Sequence, residues 1–264
     1  MIERLPSNFA CAAAALLFAI CGCAHAPGVP AESAETIRPD QQLDFHLLYK
    51  QNCAGCHGDN GRSGAAISLN NPAYLAVAGA QNLRATTAKG IPGTLMPAFA
   101  QSSGGMLTDP QVDALVQGMI HEWSRPSDFS GIALPPYAAT APGDAKNGQT
   151  AYMAACARCH GADGTGVRVP GQTETGQQVE TPHSIVDPSY LTLVNDQNLR
   201  SIVIAGHIDA NAPDWRSYIS GRALAPQEIT DIVAWLASHR APVAQQSVEN
   251  PRVAPPGVPK KEKP

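Results

Sequence analysis

Two short motifs hold the residues best suited to chemistry: Cys53-Ala54-Gly55-Cys56-His57 and Cys156-Ala157-Arg158-Cys159-His160. Two thiols at this spacing lie about one helical turn apart. Such a pair can work as a redox dithiol, as half of a zinc site, or as the attachment point of a haem. Only the third use explains the histidine. Two thiols one turn apart can add to the two vinyl groups of one porphyrin, and a histidine beside the second cysteine then lies beneath the iron. Both motifs carry it, so the expected cofactors are two covalently bound haem c groups, each with its iron. A disulfide framework would instead scatter its cysteines through a small domain.

The other cysteines, Cys11, Cys21 and Cys23, sit within the first 23 of 264 residues. Arg4 gives a charged start, and Phe9 to Ile20 is an apolar run. That run is too short to span a bilayer and suits the core of an export signal. Ile20-Cys21-Gly22-Cys23 resembles a bacterial lipoprotein box, although Cys at its second position is unusual. The competing reading is ordinary cleavage after Ala24-His25-Ala26, which the following Pro27 disfavours. The expectation is a signal peptide over 1–23, acylation at Cys23, and a periplasmic product lipid-anchored to a bacterial membrane, since two or more acyl chains hold a protein there stably. The net charge of −4 argues against a nucleic-acid partner.

The chain repeats itself. Pro72-Ala73-Tyr74-Leu75 matches Pro188-Ser189-Tyr190-Leu191, and Gln81-Asn82-Leu83-Arg84 matches Gln197-Asn198-Leu199-Arg200, both at an offset of 116. The cysteine motifs match at an offset of 103, so the second unit carries about 13 extra residues. Pro-rich stretches separate the units. The predicted division is a flexible tether over 24–39, a first domain over 40–125, a linker over 126–142, a second domain over 143–241 and a disordered tail over 242–264. Each unit reads as a helix running into its motif, a long loop, a short helix near Asn82 or Asn198, and a terminal helix. Val112, Leu115, Val116 and Met119 share one helical face, as do Ile229, Ile232, Val233 and Leu236. Thr108 with Gln111 predicts a capping box, and Pro226 suits a first helical turn. No stretch alternates as a strand would, so the expected fold is all-α.

Both units resemble class I cytochrome c domains. The signs are Cys53 to Gly58, then Gly93-Thr94-Leu95-Met96-Pro97-Ala98-Phe99, then an apolar terminal helix. The second unit adds Gly148 and Tyr152 before its motif and Trp235 in its last helix. The resemblance implies two tandem all-α domains, each wrapping one haem attached at Cys53 and Cys56 or at Cys156 and Cys159. It implies His57 and His160 as proximal iron ligands and Met96, followed by Pro97, as the distal ligand of the first haem. A Met thioether there favours reduced iron and raises its potential. Met106 is the nearby rival.

The second unit departs from this pattern, because Ala212 stands where Met96 does. The first candidate for its distal ligand is His207, with His183 in the extra segment behind it. The remaining options are an open site, water, or a weak ligand such as Asn211 or Tyr218. Arg84 and Arg200 recur at matched positions and suit pairing with haem propionates, or a solvated helix surface. His46, His121 and His239 read as surface or capping residues.

Two functions follow. The first is electron transfer between redox proteins of a respiratory or periplasmic chain, without catalysis. The second uses an open second haem as a peroxidase-like enzyme or ligand sensor, and no distal acid or base is readable to support it.

Overall fold

In the computed structural model, residues 37–166 and 184–241 are described. The signal and lipidation segment with Cys23, the tether up to residue 36, His183 and the whole tail over 242–264 lie outside them. Before Leu43 the described chain holds a 3-10 turn, Pro39–Gln41. From Leu43 on, the chain is helical and contains no strand among the described residues, only two isolated bridges. It forms two cytochrome c-like helical sets in tandem.

The first set runs α1 (Phe45–Asn52), α2 (Ala54–His57), α3 (Pro72–Lys89) and α4 (Asp109–Trp123). The second runs α5 (Ala145–Ala155), α6 (Ala157–His160), α7 (Pro188–Leu193), α8 (Asp196–Ala205) and α9 (Pro226–Ala237). Local chemistry starts these helices at matched places. Asp44 and Asp144 cap α1 and α5, accepting from the backbone N–H groups of Leu47 and Asn147. Asn71 and Asp187 cap α3 and α7 in the same way. The capping box predicted for Thr108 and Gln111 is present. The short helix expected near Asn82 follows a break at Gly79, whose φ of 63° only glycine takes readily, and the helical stretch from Pro72 up to that break is additional. The second set breaks at the matching position, where Asn195 caps α8 and separates it from α7.

In each set the terminal helix crosses the first helix, α4 on α1 and α9 on α5. The crossings are filled by opposite means. On α4, Gly118 leaves room for the Phe45 ring of α1; a methyl there would lie 2.2 Å from that ring. On α9 the large residue is Trp235, and the room is left by Gly148 of α5. Trp235 stacks on Tyr152 at 4.1 Å. In the first set that role falls to Trp123, edge-on to Phe45 and Tyr49 at 5.4 and 5.1 Å.

The two sets pack together within one compact unit, with α3 against α8. Asn71 Nδ2 donates to the carbonyl of Ala205 at 3.1 Å in a buried setting. The connecting segment is docked rather than loose. Phe129 stacks on Trp215, and the carbonyls of Pro136 and Tyr137 accept from Arg200.

Candidate functional site

Each cysteine motif sits at the junction of two helices. Cys53 ends α1 and starts α2, and Cys156 does the same for α5 and α6. A tyrosine one turn earlier holds each hairpin shut. Tyr49 donates its hydroxyl to the carbonyl of Gly58 at 3.1 Å, and Tyr152 to that of Gly161 at 2.5 Å. Both glycines have positive φ, 80° and 77°, which lets the chain turn back directly after the histidine.

The thiols are alike in the two sets. Cys53 and Cys156 are half-buried, while Cys56 and Cys159 are exposed. Burial, with the neighbouring cysteine adding to it, pushes Cys53 and Cys156 up to about 12. A zinc site needs thiolates, and no cluster of three or more His, Cys, Asp or Glu able to hold a metal occurs among the described residues. The arrangement suits thioether attachment better than zinc binding.

His57 is 7% exposed, and its Nδ1–H donates to the carbonyl of Ile67 at 2.7 Å. A carbonyl only accepts, so the proton sits on Nδ1 and Nε2 is left as a ligand atom. Burial lowers the pKa of His57, favouring the neutral ring. His57 lines a cavity of about 320 Å³ together with Cys53, Cys56 and Met96. The wall is mostly apolar, with Tyr74 and Leu115 among its buried members. Two thiols, an oriented imidazole and a thioether around one apolar space fit a covalently held haem c. Met106 is 83% exposed and does not line that space.

The alignment of Met96 with Ala212 is reproduced in the backbone. A methyl on Gly90 would meet the carbonyl oxygen of Met96, and one on Gly206 would meet that of Ala212. The same loop is built twice, once with a thioether and once without. His207, expected near the second haem, lines the cavity with Cys53 and His57; Cys156, Cys159 and His160 are not on that wall. The side chain brought close to Cys156 is Tyr218, whose pKa rises through burial and the nearby Cys156 and Asp214.

The cavity wall is not made by one set alone. Tyr190, Asn198, Ile202 and His207 contribute from the second. Asp209 reaches further. Its carboxylate accepts from the Ser63 N–H at 3.0 Å and from the Ser68 hydroxyl at 2.5 Å. Burial raises its pKa, but those hydrogen bonds and the nearby His207 and Arg62 outweigh it and hold the carboxyl below the usual range. No local pattern flagged Asp209; the signal lies only in contacts some 140 residues apart.

The propionate expectation for the arginines does not hold. Arg84 is half-exposed and pairs with Asp109 and Asp113 of α4. Arg200 is 2% exposed, and its donors go to the Pro136 and Tyr137 carbonyls and to Thr230 Oγ1. Both guanidinium groups are already engaged by protein oxygens. His46 pairs with Glu122 at the surface, and His239 bonds the Trp235 carbonyl.

A family profile described as Cytochrome c matches residues 145–240, and one described as Cytochrome C oxidase, cbb3-type, subunit III matches residues 41–117. Among curated proteins the chain is similar to the cbb3-type cytochrome c oxidase subunit FixPc of Rhizobium leguminosarum bv. viciae. They are 27% identical over 182 residues, which is 60% of this chain and 58% of the relative. It is also similar to the subunit FixP of Sinorhizobium medicae (strain WSM419), 25% identical over 183 residues, 61% of this chain and 57% of the relative. The chain therefore spans less than two thirds of the length of these relatives. A chain of the Kuenenia stuttgartiensis reducing HAO-like protein complex Kustc0457/Kustc0458 aligns over 75% of this chain and 96% of its own, at 16% identity and a TM-score of 0.42, too distant to bear on function.

Proposed function

This chain belongs to the class I c-type cytochromes as a tandem of two such domains with two covalently bound haem c groups, and from that premise we propose that it is an exported, lipid-anchored electron relay serving a respiratory chain. Electron transfer is its coarse function. The finer reading makes its partners redox proteins that feed, or are fed by, a membrane oxidase of the kind its relatives belong to. No described helix is long and apolar enough to cross a membrane. The proposed membrane attachment is acylation at Cys23, which rests on the box at Ile20 to Cys23.

Each haem, when bound, takes up and returns one electron at its iron. The protein's part is to hold, orient and shield. Cys53 with Cys56, and Cys156 with Cys159, are the proposed thioether positions. His57, oriented by the Ile67 carbonyl, and Met96 are the proposed ligands of the first haem. His160 is the proposed proximal ligand of the second; His207, the candidate that the sequence offered for its distal side, lines the first domain's cavity instead.

The observation that carries the relay is the shared wall. Helix α8 and His207 of the second domain line the first domain's cavity, so both domains enclose the first redox site within one packed body. A redox titration of the full holoprotein tests it. The expected result is two haems per chain in a denatured haemochrome assay and two reversible one-electron waves. Fewer than two covalent haems, or a haem that mediators cannot cycle, overturns it. Carbon monoxide separates the enzyme reading: rapid binding at the reduced second haem with peroxide turnover would favour catalysis over relay.

A further inference from the structure

We propose that Asp209, a residue of the second domain, is a positioning residue for the haem held by the first: its carboxylate clasps the loop that presents the hydrogen-bond acceptor of His57. The inference rests on His57 as an iron ligand, the reading proposed above.

The loop runs from Gly58 to Asn71. It is pressed against the cysteine motif with no slack. Ala66 N–H donates to the Cys56 carbonyl at 2.9 Å, and a methyl on Gly64 would lie 2.2 Å from that same oxygen. Ile67 supplies the carbonyl that His57 Nδ1–H meets. The next residue, Ser68, is 8% exposed and donates to Asp209 Oδ2; Ser63, four residues before Ile67, donates its N–H to the same oxygen. One carboxylate oxygen thus grips the loop on both sides of the acceptor. Asn71, bonded to the Ala205 carbonyl, pins the far end to the same domain.

Both halves of the clasp are held in conformations that side chains avoid. Among the described residues, the positive-φ positions other than glycine are Ser63 and Asn211. Ser63 is gripped by Asp209, and Asn211 closes the 3-10 turn Ile208–Ala210 that carries Asp209. Backbone of this kind persists where its surroundings over-determine it. The clasp also runs one way. At the offset of 116 the counterpart of Asp209 is Gly93, which has no side chain.

A firm hydrogen bond at Nδ1 makes the imidazole a stronger electron donor and favours oxidised iron. A nearby negative charge acts in the same direction, although screening at an exposed carboxylate weakens it. Loosening the clasp therefore shifts the first haem toward its reduced state, and the second domain sets part of the first haem's potential.

Spectroelectrochemical titration of full-length di-haem protein tests this, with the first haem's wave assigned as the one that moves in Met96→Ala. Asp209→Ala is expected to change the ferrous-to-ferric ratio of that haem on the order of tenfold at fixed potential, which is about 59 mV upward for one electron. Ser68→Ala, which loosens the clasp from the other side, is expected to move it the same way. Asp209→Asn, which keeps an acceptor oxygen, is expected to move it less. The second wave stays in place. The proposal is overturned if the first wave is unmoved in both alanine variants, if both waves move together, or if Asp209→Asn matches Asp209→Ala. Failure of the relay reading is distinct, because it appears in the unsubstituted protein as missing haem or irreversible waves.

Discussion

The two halves of this protein are built to one plan and finished differently. Both use an aspartate to start the first helix, a tyrosine to hold the cysteine hairpin shut and a glycine to end it. What differs is what stands at matched positions. Gly118 and Phe45 of the first crossing correspond to Trp235 and Gly148 of the second, the same large and small pair with its members exchanged. A helix crossing needs a given volume filled, and which helix supplies the bulk is immaterial to packing density. Ligand positions are not exchangeable in this way. Ala212 on the Met96 backbone keeps the loop and removes the donor atom.

The comparison breaks most visibly at that loop. Replacing Met96 by Ala gives the first domain the second's distal side. The potential of its haem is expected to fall by a few tenths of a volt, within the range that axial ligands set, with loss of the His–Met signal in a low-temperature paramagnetic resonance spectrum. The reverse change, Ala212→Met, is expected to create such a signal. If it leaves the second haem's spectrum unaltered, the two loops are not equivalent at the iron.

The matched arginines come next. Arg200 is buried with oxygens on every side, and where Arg84 meets Asp113, Arg200 meets Thr230. Truncation empties a buried site and takes the donor from the buried Thr230 hydroxyl oxygen and from the Pro136 carbonyl, while the Tyr137 carbonyl keeps Gln197 Nε2, so Arg200→Ala is expected to cost about 2 kcal/mol. Arg84→Ala removes exposed ion pairs and is expected to cost under about 1 kcal/mol. Denaturant melts of the two variants check the contrast; equal losses would refute it.

A smaller effect tests the exchanged crossing. A methyl at Gly148 would lie 1.9 Å from the Asp231 carbonyl oxygen, whereas one at Gly118 meets a phenylalanine ring. A ring can turn and a helix backbone cannot, so Gly148→Ala is expected to cost about 3 kcal/mol and Gly118→Ala about 1–2 kcal/mol. Thermal unfolding of both, haem content held equal, gives the order.

The smallest difference lies at the terminal helix caps. Gln111 caps α4, and Glu228 stands at the matching place in α9, accepting from the Ala225 N–H at 2.8 Å. Hydrogen bonds from Arg222 hold the Glu228 carboxyl below its usual range. Its contribution is therefore present at neutral pH and lost as pH falls through that lowered value. Stability between pH 7 and 3 is expected to fall less in Glu228→Gln, by under about 1 kcal/mol. An unchanged pH profile would show that this carboxylate contributes nothing.

Much of the fold was readable because much of it is local. The haem motifs, the Thr108–Gln111 cap and the apolar faces of the terminal helices depend on residues within a turn or two of each other, and the repeat shows in the sequence as short matching runs. The short helix after Gly79 was readable, while the helical stretch from Pro72 up to that break was not. The arginines misled. Recurrence at a matched position is visible in a sequence, but the partner is not, and one guanidinium found Asp113 while the other found the docked connecting segment.

The sequence by itself determined that two haems are attached, that two helical domains enclose them, and that Ala212 replaces Met96. Each of these is written in spacing along the chain. Only the tertiary structure decided that His207 faces the first domain's cavity, that the connecting segment is held by Arg200, and that Asp209 grips the loop behind His57. Those contacts join residues scores of positions apart, and no periodicity encodes them: they exist because α8 docks on α3 and carries its following loop across.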